Sequence, residues 1–205
     1  SPHDTAFLLF RVSTMNVEKL KPYASGDSKR VQIQQAFDQI AHRYDPLNRI
    51  LSFGIDILWR RRALRLLRAE VPLRLLDVAT GTADFAIMAA RRFPQSHVTG
   101  IDLSEGMLQI GRTKVAAAQL AMRIALRAGD CLALDFPDAV FDAAMAAFGV
   151  RNFENLAAGV AEIRRVVRPG GRVVILELSE PQRGPMRALF RFYSRHVMPF
   201  VGRLL

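Results

Sequence analysis

The chain is poor in several of the residues that would narrow its class. It has one cysteine, Cys131, in 205 residues, so an intrachain disulfide is excluded and a reducing, cytoplasmic setting fits. Its four histidines, His3, His42, His97 and His196, are too dispersed to read as a metal cluster. Half of the residues are hydrophobic, yet no apolar run approaches the roughly 20 residues that cross a bilayer. Lysine is scarce too, limited to Lys19, Lys21, Lys29 and Lys114. The net charge of +10 is therefore carried mainly by arginine, much of it on helices rich in Ala and Leu. Such a charge suits nucleic acid or an anionic membrane surface, but the arginine bias points to genome composition more than to a ligand.

The segment AFLLF near the start is shorter than a secretory h-region, and no basic stretch precedes it. Met15 is a candidate start, and residues 1–30 read as a flexible lead-in. From Val31 onward, apolar residues at steps of three and four predict a helix that Asp45 and Pro46 stop. A second helix is expected from about Asp56 to Ala69.

After Pro72 strands and helices alternate, which predicts an α/β, Rossmann-like fold: a mainly parallel sheet with helices on both faces. The strand candidates are 74–79, 97–102, 123–129, 141–148 and 171–179. Helices are expected at about 83–92, 104–121 and 155–167, with Ser104 and Asn155 as N-caps and Pro169, Gly170 and Gly171 ending the last. On this reading residues 31–70 form a helical cap, 71–182 the core, and 183–205 an amphipathic tail, all within one domain spanning 31–205.

In LLDVATGTAD a strand runs into a turn of small residues and then a helix, so that backbone N–H groups and a helix N-terminus face a ligand. Asp102 ends the next strand, 21 residues after Gly81, where a carboxylate can accept from both hydroxyls of a ribose. The dinucleotide fingerprint fails, because Ala83 and Ala86 stand where it requires glycine. A cofactor without phosphates suits this loop better, and S-adenosylmethionine is one, its ammonium and carboxylate groups meeting the loop and Asp77. Asp130 and Cys131, after the following strand, are placed to meet an adenine. Ala147, Phe148 and Gly149 end the fourth strand, beside the methyl donor and its acceptor. Each residue also has a plainer explanation: Asp102 as part of a helix cap, Asp130 as a surface loop residue, Cys131 as a packing residue.

From Val31 to Leu205 these residues resemble the ubiquinone/menaquinone biosynthesis C-methyltransferase family of class I S-adenosylmethionine enzymes. YDPLNRILSFGIDILW and RVVRPGGRVVILELSEP carry the resemblance, with FGVRNFEN and FYSRHVMPFVGRLL, while LLDVATGTADFAI and GIDLSEGMLQIGR are most similar to the menaquinone branch. Ala83, Ala147, Leu47, Asp56 and Arg168 depart from the commonest letters, which are Gly, Ser, Met, His and Lys.

The resemblance implies that Thr82, Asp102, Asp130 and Cys131 contact S-adenosylmethionine. It also implies a prenylated hydroquinone as substrate, demethylmenaquinol ahead of a ubiquinone precursor, with no metal required. Arg151 and Asn152 are the candidates for positioning the ring hydroxyl or a water that takes its proton, and Tyr44 with Asp45 for closing over the site. It further leads one to expect two more strands after Gly202 and, without them, an exposed sheet edge. In the tail, Met186, Leu189, Phe190, Tyr193 and Val197 share one helical stripe and Arg187, Arg191 and Arg195 another. That pattern fits peripheral contact at the inner face of a membrane, packing on the domain itself, or lining of a substrate tunnel. No nucleic-acid partner is expected and the oligomeric state is left open. An RNA methyltransferase and a non-catalytic module that binds the cofactor or lipid are the competing functions.

Overall fold

The computed structural model describes residues 28–52, 54–67 and 73–177, together with the backbone of 6–10. Its centre is a six-stranded sheet in the order β1-β6-β5-β2-β3-β4, every neighbouring pair parallel. The strands are β1 (Ala6–Phe10), β2 (Arg74–Val78), β3 (His97–Asp102), β4 (Ile124–Ala128), β5 (Phe141–Ala147) and β6 (Val167–Leu176). The helices are α1 (Lys29–Leu51), α2 (Ile55–Leu66), α3 (Asp84–Arg92), α4 (Glu105–Ala117) and α5 (Leu156–Val166).

The period of two along each inner strand sorts the core into two layers. Leu75, Met145, Val174 and Leu176 face α2, α3 and α4, in one cluster with Leu64, Phe85, Ala89 and Val115. Leu76, Val78, Ala144, Val173 and Ile175 face the other way, in a second cluster with Ile163 and Val166 of α5. Burial on both faces explains why β2, β5 and the last part of β6 are apolar almost throughout. Asp77 shares its face with Leu75, and its carboxyl is accordingly buried.

The expected caps are present. Ser104 accepts from the Met107 N–H at 3.1 Å and Asn155 from the Ala158 N–H at 3.0 Å. Three features differ from expectation. First, α1 runs through Pro46 to Leu51 instead of stopping there. Proline deprives the His42 carbonyl of its N–H partner, but ion pairs from Asp45 and Arg49 to the core hold this turn in place. Second, β6 begins at Val167, directly after α5, so Pro169, Gly170 and Gly171 lie inside the strand, where its pairing with β5 is irregular. A Cβ on Gly171 would stand 2.6 Å from the Asp142 carbonyl oxygen, which accounts for glycine there. Third, the AFLLF segment forms β1 and pairs with β6 from Ala6↔Arg172 to Phe10↔Leu176. An apolar run of five is a strand in its own right, and it lines the β6 edge expected to lie open. The predicted tail stripe, 186–197, lies outside the described residues, as do the expected later strands.

Candidate active site

Strand order reverses between β2 and β5: from β2 the chain moves outward through β3 and β4, then returns to β5 and continues through β6. Ligands in open α/β sheets settle beyond the carboxyl ends of the strands at such a point. Here a cleft opens between those ends and α1.

Its floor is built from backbone. After β2 the chain takes left-handed turns at Ala79 (φ 53°), Gly81 (φ 55°) and Ala83 (φ 64°), and the loop folds back against the end of β3. Asp102 fixes it there. One carboxylate oxygen accepts the Gly81 N–H at 2.8 Å and the other the Ser104 N–H at 2.9 Å. Burial raises the Asp102 pKa against the opposing effect of those N–H groups. Each oxygen retains acceptor capacity, so a diol can still be bound. On the other side, Gly149 lies so near Ala79 that a Cβ there would stand 2.4 Å from the Ala79 Cβ. Small residues let the two loops meet.

The roof is α1. Ile33, Gln34, Phe37 and Tyr44 line the cleft from this helix, and the Phe37 and Tyr44 rings meet edge to face at 5.8 Å. Polar side chains on the same helix tie it to the core along its length. Lys29, buried, donates to the Phe153 carbonyl at 3.0 Å. Arg30 pairs with Asp130 at 2.9 Å. Asp38 accepts from the Ser104 hydroxyl and the Gly106 N–H at the start of α4. Asp45 accepts from the Thr82 hydroxyl and from Lys114, both at 2.6 Å, and Lys114 also pairs with Asp84. Arg49 reaches Asp84 and Asp56, and Asp56 is buried against Arg60 of its own helix.

Of the residues singled out from sequence, Tyr44, Gly81, Asp102, Asp130, Cys131, Ala147, Phe148, Gly149 and Asn152 line this one cleft. Burial pushes the Cys131 thiol up to about 12, so it is a neutral wall residue with no nucleophilic character. Asp45, Asp77, Thr82 and Arg151 are not on the lining. Asp77 lies beneath the first loop and accepts the Thr80 hydroxyl at 2.6 Å; burial raises its pKa to about 7, which Thr80 and Arg60 partly offset. Thr82 turns to Asp45 and Lys114. Arg151 is held by Glu177, which accepts both its N–H at 3.1 Å and its guanidinium at 3.2 Å.

Sequence reasoning missed the α1 fastenings at Lys29, Arg30, Asp38 and Lys114. A signal was present. Arg30, Ile33, Phe37, Asp38, Ala41, Tyr44 and Asp45 recur at steps of three and four, so these polar residues share the core-facing side with the apolar ones.

The charge of the wall indicates what it can receive. Among the described residues Arg30, already paired, is the one cation on the lining, against the carboxylates of Asp102, Asp130 and Glu154. A diphosphate would meet repulsion here, whereas an adenosyl group bearing a positive sulfonium and ammonium would be attracted. The residues present thus fit a phosphate-free cationic cofactor.

Comparison with known proteins agrees with this chemistry. The model of a family described as the ubiE/COQ5 methyltransferase family matches residues 25–205. A demethylmenaquinone methyltransferase of Bacteroides fragilis is 47% identical over 188 residues, covering 92% of this chain and 77% of that protein. A ubiquinone/menaquinone biosynthesis C-methyltransferase of Geobacter sulfurreducens is 46% identical over 177 residues, 86% of this chain and 69% of the relative. Among solved structures, that of the cyclase SpnF superposes with a TM-score of 0.66 at 24% identity, over 77% of this chain and 63% of its own. A likeness at that identity establishes the fold alone, since one fold hosts many reactions.

Proposed function

The chain belongs to the ubiE/COQ5 methyltransferase family, and from that premise we propose that it methylates a ring carbon of a prenylated hydroquinone, demethylmenaquinol giving menaquinol. A ubiquinone precursor is the alternative substrate. The observation that carries the reading is the cleft itself, where the acidic tips of two strands face an apolar roof of Ile33, Phe37 and Tyr44.

S-adenosylmethionine, when bound, supplies an electrophilic methyl group. Asp102 would accept from the ribose hydroxyls, Asp130 and Cys131 would lie against the adenine, and the 79–83 loop with Ala147 would flank the methionine end. Asp77 would steady that loop from beneath through Thr80, and Thr82, within the loop, would join it to α1. In the acceptor half, a ring hydroxyl that loses its proton raises electron density at the neighbouring carbon, which can then take a methyl group. Asn152 and Tyr44, both on the cleft lining, would orient that hydroxyl. Arg151, held by Glu177 just past the end of the neighbouring strand β6, would add positive charge that favours a phenolate.

The reading retains a helical cap over 31–70 and a core over 71–182, and places the protein at a membrane surface from which a prenylated substrate is drawn. Among the described residues no helix is long and apolar enough to cross a membrane.

Calorimetry with S-adenosylmethionine followed by turnover on demethylmenaquinol tests the proposal. The expected result is binding and a methylated product detected by mass spectrometry. Binding without product would leave a cofactor-binding module, methylated RNA would transfer the activity to the competing enzyme class, and failure to bind would reject all three.

A further inference from the structure

The corner between α1 and α2 shows an apolar surface that the core does not use. Ile50 at the end of α1 and Ile55, Leu58 and Trp59 in the first turns of α2 are 50%, 42%, 59% and 36% exposed. Arg61, Arg62 and Arg65, further along α2, are exposed as well. At 100° per residue these side chains share the outward side of α2, opposite its buried Asp56, Arg60, Ala63 and Leu64. The outward side is thus apolar in its first half and cationic in its second. Ion pairs from Asp56 to Arg60 and Arg49 fasten the inner side, which keeps the outer one rigidly presented.

From this arrangement we infer that the α1–α2 corner is the surface that docks on an anionic phospholipid bilayer. Apolar side chains enter the acyl boundary while the arginines meet phosphate headgroups, and tryptophan, part apolar and part polar, favours that interface. Four apolar side chains are too few for a stable protein interface, which takes about 20–30 residues a side. They suffice for shallow insertion helped by charge, and the net charge of +10 has the required sign. The corner also adjoins the cleft. The Trp59 ring lies 6.4 Å from that of Phe148, and Phe148 lines the cleft at the end of β5. A substrate anchored in the bilayer by its tail would thereby find the site at the membrane surface. This step deepens the proposed function and rests on it only for the purpose of docking.

Trp59 is the sole tryptophan of the chain, so its emission reports on the corner without a label. Vesicles of phosphatidylcholine with phosphatidylglycerol should shift that emission to the blue, and brominated acyl chains should quench it. Pure phosphatidylcholine or high salt should weaken both effects. Leu58→Glu should lower the vesicle-bound fraction about tenfold, while Arg61→Glu with Arg65→Glu should remove the preference for phosphatidylglycerol. Leu58→Glu should still methylate a short-tailed, water-soluble quinol at the wild-type rate when no vesicles are present. Emission unmoved by vesicles overturns the proposal, since any docking would then use another part of the chain. So does a Leu58→Glu protein that binds as well as wild type, or an equal shift with heparin alone, which would mark a surface reading charge only. A wild-type protein that docks as described yet methylates no quinol supports the docking surface and refutes the substrate reading.

Discussion

The two walls of the cleft are held by different physics. On the sheet side, the ends of β2, β3 and β5 are fixed by backbone hydrogen bonds, close approach of small residues and strands buried on both faces. On the α1 side, side-chain ion pairs and hydrogen bonds do the fastening, most of them partly exposed. The first kind of contact barely responds to ionic strength and the second does. One wall is therefore a fixed template and the other an adjustable cover.

Several perturbations would sharpen or break this contrast. The largest effect is expected from Asp102→Ala, which removes acceptors for a ribose and orphans the Gly81 and Ser104 N–H groups. The dissociation constant for S-adenosylmethionine measured by calorimetry should rise on the order of 100-fold; an unchanged value would show that the ribose binds elsewhere. Next is Gly149→Ala. Its new methyl meets Ala79 on an equally rigid loop, so unfolding in urea should reveal a loss of roughly 1–3 kcal/mol, insensitive to salt. On the other wall, a double-mutant cycle of Asp45→Asn and Lys114→Met should give a coupling of about 1 kcal/mol that shrinks between low and high salt. Hydrogen exchange should show α1 opening sooner as salt increases while β2, β3 and β5 stay protected, and equal behaviour of the two would end the distinction.

The last test concerns pH. Burial raises the Asp77 pKa from 3.8 to about 7, so the folded protein holds a proton that the unfolded chain releases near pH 4. The stability this lends is complete below about pH 4 and is lost as pH rises through about 7. Asp77→Asn, which cannot ionise, should flatten the decline in urea midpoint between pH 5 and pH 8, with Asp102, also raised, leaving a residual slope. An unaltered slope would mean that Asp77 does not titrate in this range.

The same contrast sets what could be read from sequence. The core was legible because burial on two faces leaves apolar strands, and because Gly81, Asp102 and the Asp130–Cys131 pair occupy strand ends that topology then brings together. N-caps at Ser104 and Asn155 were legible because their partners are three residues away. Long-range pairing of charges was not. Nothing local to Asp45 announces Lys114, 69 residues later, and without that partner Pro46 reads as the end of a helix. Arg151 was expected at the site, whereas it stands off the cleft lining, held by Glu177 through an alignment of β5 with β6 that no local pattern announces.

An all-parallel sheet also has a consequence for how the molecule comes into being. Leu75 pairs with Ala143 only after β3 and β4 have been made, so no hairpin can seed the joint at which β2 meets β5. High contact order of this kind slows folding. It also makes acquisition of the tertiary structure and assembly of the cleft one and the same event: a nascent chain that has not yet reached β5 owns the acidic tips but has no crevice to put them in.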